Sequence, residues 1–190
     1  KHKLSMPATQ LMFTITGMIN KDDEDLKEYK VDVAKFSKLW KKDPKNAYDE
    51  ITKALVELRK SGIDETFYDP ESEKKRFISV GYISKATYVE GEGYCLVNID
   101  PALKPHYIQL KENFTKYKIE NLVRLTEARA SVSQVRIYEL LKQYQKIGWR
   151  EFTIEQLKNY LGLIEYDSSG KIKKEKYKNK NVDLKKRVVE

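Results

Sequence analysis

The sequence has few of the residues that build disulfides and metal centres. It contains one cysteine, Cys95, and only two histidines, His2 and His106, among 190 residues. A single cysteine excludes an intramolecular disulfide framework and fits a reducing cytoplasm. Because the two histidines lie far apart in the sequence and no cysteine cluster accompanies them, the sequence argues against a zinc site.

The motifs of nucleotide chemistry are also missing. No glycine-rich loop ending in Gly-Lys-Ser or Gly-Lys-Thr occurs, so the common phosphate-binding loop is absent. Thirteen tyrosines are present, but without metal ligands nearby we interpret them as core and surface aromatics rather than nucleophiles. Cys95 alternates into a strand face and is expected to be a small buried residue. We therefore expect a protein that is not an enzyme and needs no cofactor.

Long hydrophobic runs are absent as well, and none reaches membrane-spanning length. The most apolar N-terminal stretch, residues 11–19, lacks the small-residue cleavage pattern of a secretory signal. Charged residues make up 35% of the chain and hydrophobic ones 40%, which is typical of a globular protein without a membrane partner. We expect a cytoplasmic protein. Because the chain begins at Lys1 rather than Met and stops within a helical pattern at Glu190, we also expect a fragment.

Positive charge is concentrated near the C-terminal end. The net charge is +8, and residues 171–187 alone hold nine Lys or Arg against Glu175 and Asp183. A basic concentration of this kind indicates a polyanionic partner. The alternative is a disordered, solvated tail. Apolar residues at four positions favour an amphipathic helix instead: Val182, Leu184, Val188 and Val189.

The first part of the chain alternates helical and strand patterns. The spacing of apolar residues predicts helices over residues 7–19, 34–40, 44–61 and 118–128. Period-two alternation predicts strands over residues 29–33, 66–68, 76–88 and 94–99, with turns over 69–72 and 90–93. A helix-turn-helix followed by a β-ribbon is the winged-helix arrangement.

Two capping boxes mark helices in the second part of the chain. In each, Ser or Thr is followed three residues later by Gln: Ser131 and Gln134, then Thr153 and Gln156. The first of these helices, expected over residues 132–147, carries a wide apolar stripe with Tyr138 and Leu141 on its inner face. Gly162 is expected to end the second.

These patterns predict an α+β fold of tandem winged-helix domains. A short strand over residues 149–152 is expected between the two later helices, and the basic segment 171–190 takes the position of the recognition helix. The first domain, residues 1–128, is expected to be complete. The second, residues 129–190, is expected to be truncated before its wing.

One run of residues also carries a resemblance to a known family. Residues 136–144 form the run RIYELLKQY, which is followed by Gly148, FTIEQL at 152–157 and LGL at 161–163. Weaker echoes are NAY at 46–48, FTKY at 114–117 and DLKKRVVE at 183–190. Together these runs resemble the plasmid replication initiator (Rep) proteins, which bind repeated origin sites called iterons.

The resemblance implies a specific mode of action. Rep proteins bind iterons in double-stranded DNA as monomers, and their dimers, held largely by the first domain, repress the protein's own promoter. It also implies host replication proteins as further partners, and base contacts on the second recognition helix, here residues 179–187. The absence of a His-x-His motif argues against the other common class of plasmid initiators, which nick DNA with a tyrosine and a metal.

The candidate DNA-binding residues lie in both domains. In the second domain they are Lys176, Lys178, Asn179, Lys180, Asn181, Lys185, Lys186 and Arg187. In the first domain they are Lys45, Asn46 and Lys53 on the second helix of the helix-turn-helix, and Lys74, Lys75 and Arg76 at the tip or root of the wing. The cations can neutralise phosphates, whereas the asparagines either reach a base edge or only cap a helix.

Three acidic residues limit the role predicted for the first domain. Asp49, Glu50 and Glu57 lie on the same helix as Lys45 and argue against its deep insertion into the major groove. We therefore expect the first domain to position and dimerise while the second specifies. Two other functions remain open on the sequence: a winged-helix transcription regulator without a role in replication, and a protein-interaction module whose lysines are only solvated.

Overall fold

The chain divides into two compact units, Lys1–Phe114 and Thr115–Glu190. The structure is a computed structural model that describes residues 4–20, 22–69, 72–88, 91–108, 119–167 and 171–178, apart from the side chains of Glu65 and Phe67. Within these ranges no helix is both long enough and apolar enough to cross a membrane.

The first unit combines helices with two separate sheets. Its helices are α1 (Met6–Thr16), α2 (Val33–Trp40), α3 (Pro44–Lys60) and α4 (Lys104–Tyr107), the last preceded by a 3-10 turn over Pro101–Leu103. Its strands are β1 (Glu28–Asp32), β2 (Gly62–Asp69), β3 (Lys74–Gly81), β4 (Ile83–Tyr88) and β5 (Tyr94–Ile99). Strands β1, β5 and β4 form an antiparallel sheet in that order, and β2 pairs only with β3.

Local capping explains where the first three helices begin. Ser5, Asp32 and Asp43 each accept a hydrogen bond from a backbone amide of the first turn. Proline stands in the first turn of α1 and of α3, where its missing N–H costs no hydrogen bond. Helix α2 ends at Lys41, whose left-handed φ of 50° turns the chain towards α3.

The core of the first unit lies where α1 and α2 pack on α3 and where α3 meets β4. The indole Nε1 of Trp40 donates a hydrogen bond of 2.9 Å to the Thr14 hydroxyl and so ties α2 to α1. Strand β5 buries every second residue, including Cys95 and Val97, as its alternation predicts. Burial raises the pKa of the Cys95 thiol to about 11, so the thiol stays protonated at neutral pH.

The predicted strand over residues 76–88 is two strands that belong to different sheets. The chain changes partner at Tyr82, whose amide donates to the carbonyl oxygen of Ser61. At the start of β2 the backbones are so close that a Cβ on Gly62 would lie 1.7 Å from the Val80 carbonyl oxygen. The sequence pattern does not show the change of partner, because period-two alternation reports the pleat of a strand and not the strand with which it pairs.

The second unit contains three helices and one hairpin. Its elements are α5 (Ile119–Glu127), α6 (Val132–Gln143), α7 (Ile154–Tyr160) and the antiparallel strands β6 (Ile164–Tyr166) and β7 (Ile172–Glu175). Both predicted capping boxes are present with both side-chain hydrogen bonds. Helix α6 is shorter than predicted, since residues 144–147 form turns, and the predicted strand over 149–152 is irregular chain. Gly162, with a φ of 67°, follows α7 as expected.

The inner face of α6 differs from the prediction. Val135 and Leu140 are buried, whereas Leu141 is 66% exposed, so its assignment to the inner face is wrong. Tyr138 is half-buried, and its hydroxyl accepts a hydrogen bond of 2.9 Å from the amide of Asn121 on α5. Two adjacent leucines widen the apolar stripe, and the stripe alone does not show which of them turns inward.

The division between the units does not coincide with the predicted boundary between residues 128 and 129. Helix α5 belongs to the second unit, where Leu122 and Val123 are buried and Asn121 bonds to α6. The chain does break between α5 and α6, since Arg129 has a positive φ of 56°. The small residues of this segment therefore mark the end of a helix within one unit.

Leu140 and Leu141 provide a matched test of the α6 face. Leu140→Ala should lower the free energy of unfolding by about 2–5 kcal/mol, because the side chain is 6% exposed and its removal leaves a cavity. Leu141→Ala should change it by less than about 0.5 kcal/mol. Urea denaturation measures both, and equal losses would contradict the assignment of the buried face.

Candidate nucleic-acid interface

Helices α2 and α3, joined by residues 41–43, form a helix-turn-helix in the first unit. The side of α3 that carries Ala47, Ile51, Ala54, Leu55 and Leu58 is buried, so its opposite side faces solvent. Four exposed cations lie on that outward side: Lys45, Lys53, Arg59 and Lys60. The prediction contained the first two and the neighbouring Asn46, which is also exposed. Helical spacing from Lys45 would have found the other two.

Two of the three acidic residues on α3 are bound by other groups. Glu50 forms an ion pair with Lys42. Glu57 accepts hydrogen bonds from both the backbone amide and the hydroxyl of Ser5, at 2.6 and 2.5 Å. Asp49 is exposed among the cations. Lys42 therefore compensates the charge of Glu50, whereas Glu57 keeps its negative charge because Ser5 is a neutral donor.

Lys74, Lys75 and Arg76 lie on the hairpin of β2 and β3 and not on the β4–β5 ribbon. They are exposed near the end of that hairpin, and Arg76 Nε is 2.6 Å from a carboxylate oxygen of Asp69. Because β2 and β3 pair only with each other, the prediction that these residues lie on the wing is corrected. The switch of partner at Tyr82 is the reason.

The β4–β5 ribbon is the wing of the first unit. Gly91 and Gly93 at its turn have positive φ angles of 86° and 69°. The amide of Val33 donates a hydrogen bond of 2.9 Å to the carbonyl oxygen of Gly93. This bond fixes the turn end of the wing to the first residue of α2.

In the second unit the basic segment begins with a strand and not with a helix. Lys176 and Lys178, predicted on the recognition helix, are exposed in the turn that follows β7. The hairpin closes where Asp167 exchanges hydrogen bonds with the backbone of Lys171. The remaining candidates lie outside the described residues: Asn179, Lys180, Asn181, Lys185, Lys186 and Arg187.

A buried lysine fixes this hairpin to α7. Lys158 is 2% exposed, and its ammonium group donates to Glu175 Oε1 at 2.9 Å and to the carbonyl oxygen of Tyr177 at 2.8 Å. The sequence pattern does not reveal the role of Lys158, because a lysine on a short helix is usually solvated. Its position three residues before the buried Leu161 was the available signal.

The tyrosines with resolved shifts are poor nucleophiles. Burial raises the pKa of Tyr29, Tyr107 and Tyr160 above the usual range for tyrosine. Across the ranges that the structure describes, no group of three or more His, Cys, Asp or Glu side chains is placed to hold a metal ion.

Known proteins share sequence features and the fold of this chain. The family model described as "Initiator Replication protein, WH1" matches residues 1–142. The chain is similar to the Pi initiator protein, solved in complex with iteron DNA, with a TM-score of 0.73 and 20% identity over 98% of this chain and 77% of that chain. It is also similar to the MSBI1.176 WH1 domain, a replication protein isolated from a multiple sclerosis patient. That match has a TM-score of 0.44 and 17% identity over 58% of this chain and 86% of that chain. The expected α+β fold and the resemblance to replication initiators are confirmed.

The burial of Lys158 generates a stability prediction. Lys158→Met should lower the free energy of unfolding by about 3–5 kcal/mol, because it leaves the Glu175 carboxylate largely buried without its cation. Lys173→Met, on the exposed part of β7, should stay within about 0.5 kcal/mol. Chemical denaturation compares the two. A destabilisation by Lys158→Met no larger than that of the control would show that the ion pair is not buried in solution.

Proposed function

The chain belongs to the initiator replication protein family, and we propose that it starts plasmid replication by binding iterons in double-stranded origin DNA. The observation that carries the proposal is the family match over residues 1–142. The fold shared with the Pi initiator protein, which was solved on iteron DNA, supports it. The outward cations of α3 supply the matching chemistry in the first unit.

In the proposed complex both units contact the DNA, each with its own residues. Lys45 and Lys53 on α3 contact phosphates, and Asn46, exposed at the start of the same helix, is within the part of α3 that enters a groove. The second unit contributes Lys176 and Lys178, followed by the base-reading residues of segment 179–187. Phosphate contacts supply affinity and register, whereas base contacts supply specificity.

The proposed activity consists of binding and assembly without a catalysed reaction or a cofactor. DNA-bound initiators would gather host replication proteins at the origin in the cytoplasm. This proposal is supported by the exposed cations of the described residues and by the buried Cys95, whose thiol pKa is raised by burial.

We also propose that the protein forms a homodimer through its first unit and that the dimer represses its own promoter. The hairpin of β2 and β3 supports this proposal because it lies outside the three-stranded sheet. Tyr68 and Phe77 lie on one face of it and are 60% and 66% exposed. Ile78 is exposed on the other face. Large apolar side chains exposed together are typical of protein–protein contacts.

Footprinting separates initiation from simple transcriptional regulation. The protein should protect each repeat of a plasmid origin that carries direct repeats, and it should not protect a shuffled sequence of the same composition. The double variant Lys45→Ala/Lys53→Ala should flatten the slope of log K against log salt by about 2, at about 0.9 for each phosphate that is no longer neutralised. Lys27→Ala, in the connector before β1, is the control and should leave the slope unchanged.

The possible outcomes discriminate among the functions. Protection of a promoter site alone would favour a transcription regulator. Binding to DNA without any salt dependence, or no binding to DNA, would favour a protein-interaction module and would overturn the proposal.

Phe77 and Leu141 provide a matched test of the dimer. Each is 66% exposed, but Phe77 lies on the first-unit hairpin and Leu141 on α6. Phe77→Asp should weaken dimerisation at least tenfold, because it places a charge in an apolar interface. Leu141→Asp should have no effect. Sedimentation equilibrium measures both, and an unchanged dimer constant for Phe77→Asp would exclude the hairpin as the interface.

A further inference from the structure

The hairpin of β6 and β7 projects from the second unit. Ile172, Lys173 and Lys174 are successive residues of β7, and all three are exposed. Ile172 stands opposite Tyr166 and Lys174 opposite Glu165, with Lys173 as an extra residue between them. Since successive residues of β6 point to opposite faces, Ile172 and Lys174 lie on opposite faces, and both faces of this part of the hairpin lie in solvent. Residues 172–174 therefore contribute little to the core, and core packing does not explain their composition.

That composition is strongly basic. Residues 171–178 contain five exposed lysines: Lys171, Lys173, Lys174, Lys176 and Lys178. Glu175, the one acid of this segment, is paired with the buried Lys158. On β6, Glu165 stands opposite Lys174 in the strand register. The lysines therefore form a row along an extended segment. Their positive charges match the closely spaced negative phosphates of a nucleic-acid backbone.

The base of the hairpin is held firmly, whereas its outer part extends into solvent. Lys158 bonds on both sides of Lys176, to the Glu175 carboxylate and to the Tyr177 carbonyl oxygen. The amide of Lys176 donates to the carbonyl oxygen of Leu163 at 2.9 Å. The Tyr177 ring packs on Leu163 and its neighbours. These contacts fix the direction in which the hairpin leaves α7.

A buried ion pair is a costly way to hold two elements together. Burying both charges removes their hydration, and a pair of apolar residues of similar size often stabilises a fold equally well. The Lys158–Glu175 pair is better explained by geometry, since the ammonium group reaches two defined acceptors on the segment that carries the lysines. Directional hydrogen bonds of this kind define the orientation of the hairpin relative to α7 more precisely than apolar packing would.

We propose that the β6–β7 hairpin is a separate contact with the DNA backbone, distinct from the recognition helix, and that Lys158 and Glu175 are its positioning residues. The inference rests on the proposed function, because the partner is the DNA that the protein binds. Lys171, Lys173 and Lys174 lie against phosphates beside the bases that the second unit reads. They add affinity and register without reading sequence.

The first test removes the hairpin's charge in the whole chain. The triple variant Lys171→Gln/Lys173→Gln/Lys174→Gln should flatten the slope of log K against log salt by about 2–3, at about 0.9 per phosphate. Affinity should fall by the same factor on a repeat-bearing duplex and on a random one. A matched variant with three exposed or half-exposed lysines of the first unit replaced, Lys27→Gln/Lys85→Gln/Lys104→Gln, should keep the wild-type slope.

The outcomes separate this inference from the proposed function. An unchanged slope in the hairpin variant, with the wild-type footprint on the repeats intact, overturns the hairpin contact alone. Weaker binding only on the repeat-bearing duplex would show that these lysines read bases, and it overturns the assignment to the backbone. A wild-type protein that protects no repeat refutes the proposed function instead.

The second test separates positioning from stability. The variant Lys158→Met/Glu175→Met removes both charges and leaves neither buried without a partner. It should keep the wild-type unfolding midpoint and still lower the salt slope by about 2, because the lysines no longer meet the backbone in register. A double variant with the wild-type slope would overturn the positioning role. The charge test above uses only exposed residues, so it stands even if this variant folds poorly.

Discussion

Burial of the inner side of α3 is the interaction on which the first unit depends. Ile51, Leu55 and Leu58 occupy that side, and α1, α2 and β4 all pack against the helix. Apolar burial is the main favourable contribution to folding, so the same contacts that stabilise the unit also decide which side of α3 remains outside. The position of the exposed cations on the outer side of α3 is thus a consequence of the core.

The charge of that outer side depends on partners elsewhere in the chain. Glu57 is engaged by Ser5, the residue that also caps α1, and Glu50 is engaged by Lys42 in the turn before α3. Of these two acids, Glu50 has its charge compensated by a cation, whereas the hydrogen bonds from Ser5 fix the position of the Glu57 carboxylate without changing its charge. In the second unit, Lys158 likewise compensates the charge of Glu175, an acidic residue on strand β7 of the basic hairpin.

Features set by neighbouring residues could be predicted from the sequence, and features set by distant partners could not. The capping boxes at Ser131 and Thr153 involve residues three apart and were predicted correctly. Alternation located β5 but did not show that the chain changes sheets at Tyr82. In the second unit, Ile172–Glu175 is a strand because β6 pairs with it, and its lysines gave no indication of that partner.

The same distinction between local and distant partners applies to the residues of the candidate site. Lys45, Asn46 and Lys53 are exposed on α3 as expected, because a strong N-cap and a regular apolar stripe fix that helix. Lys74, Lys75 and Arg76 were placed on the wrong hairpin because the sheet to which a strand belongs is a long-range property. Lys158 was missed because its two acceptors are 17 and 19 residues further along the chain.

The bond between Lys158 and Glu175 constrains how the sequence can evolve. Replacing either residue alone passes through a protein with a buried charge and no counterion, whereas replacing both with apolar residues avoids that intermediate cost. The two positions are therefore expected to show epistasis, so that a substitution tolerated at one depends on the residue at the other. Along an evolutionary lineage they should change as a pair, whereas each exposed lysine of the hairpin can be replaced singly without leaving a buried charge uncompensated.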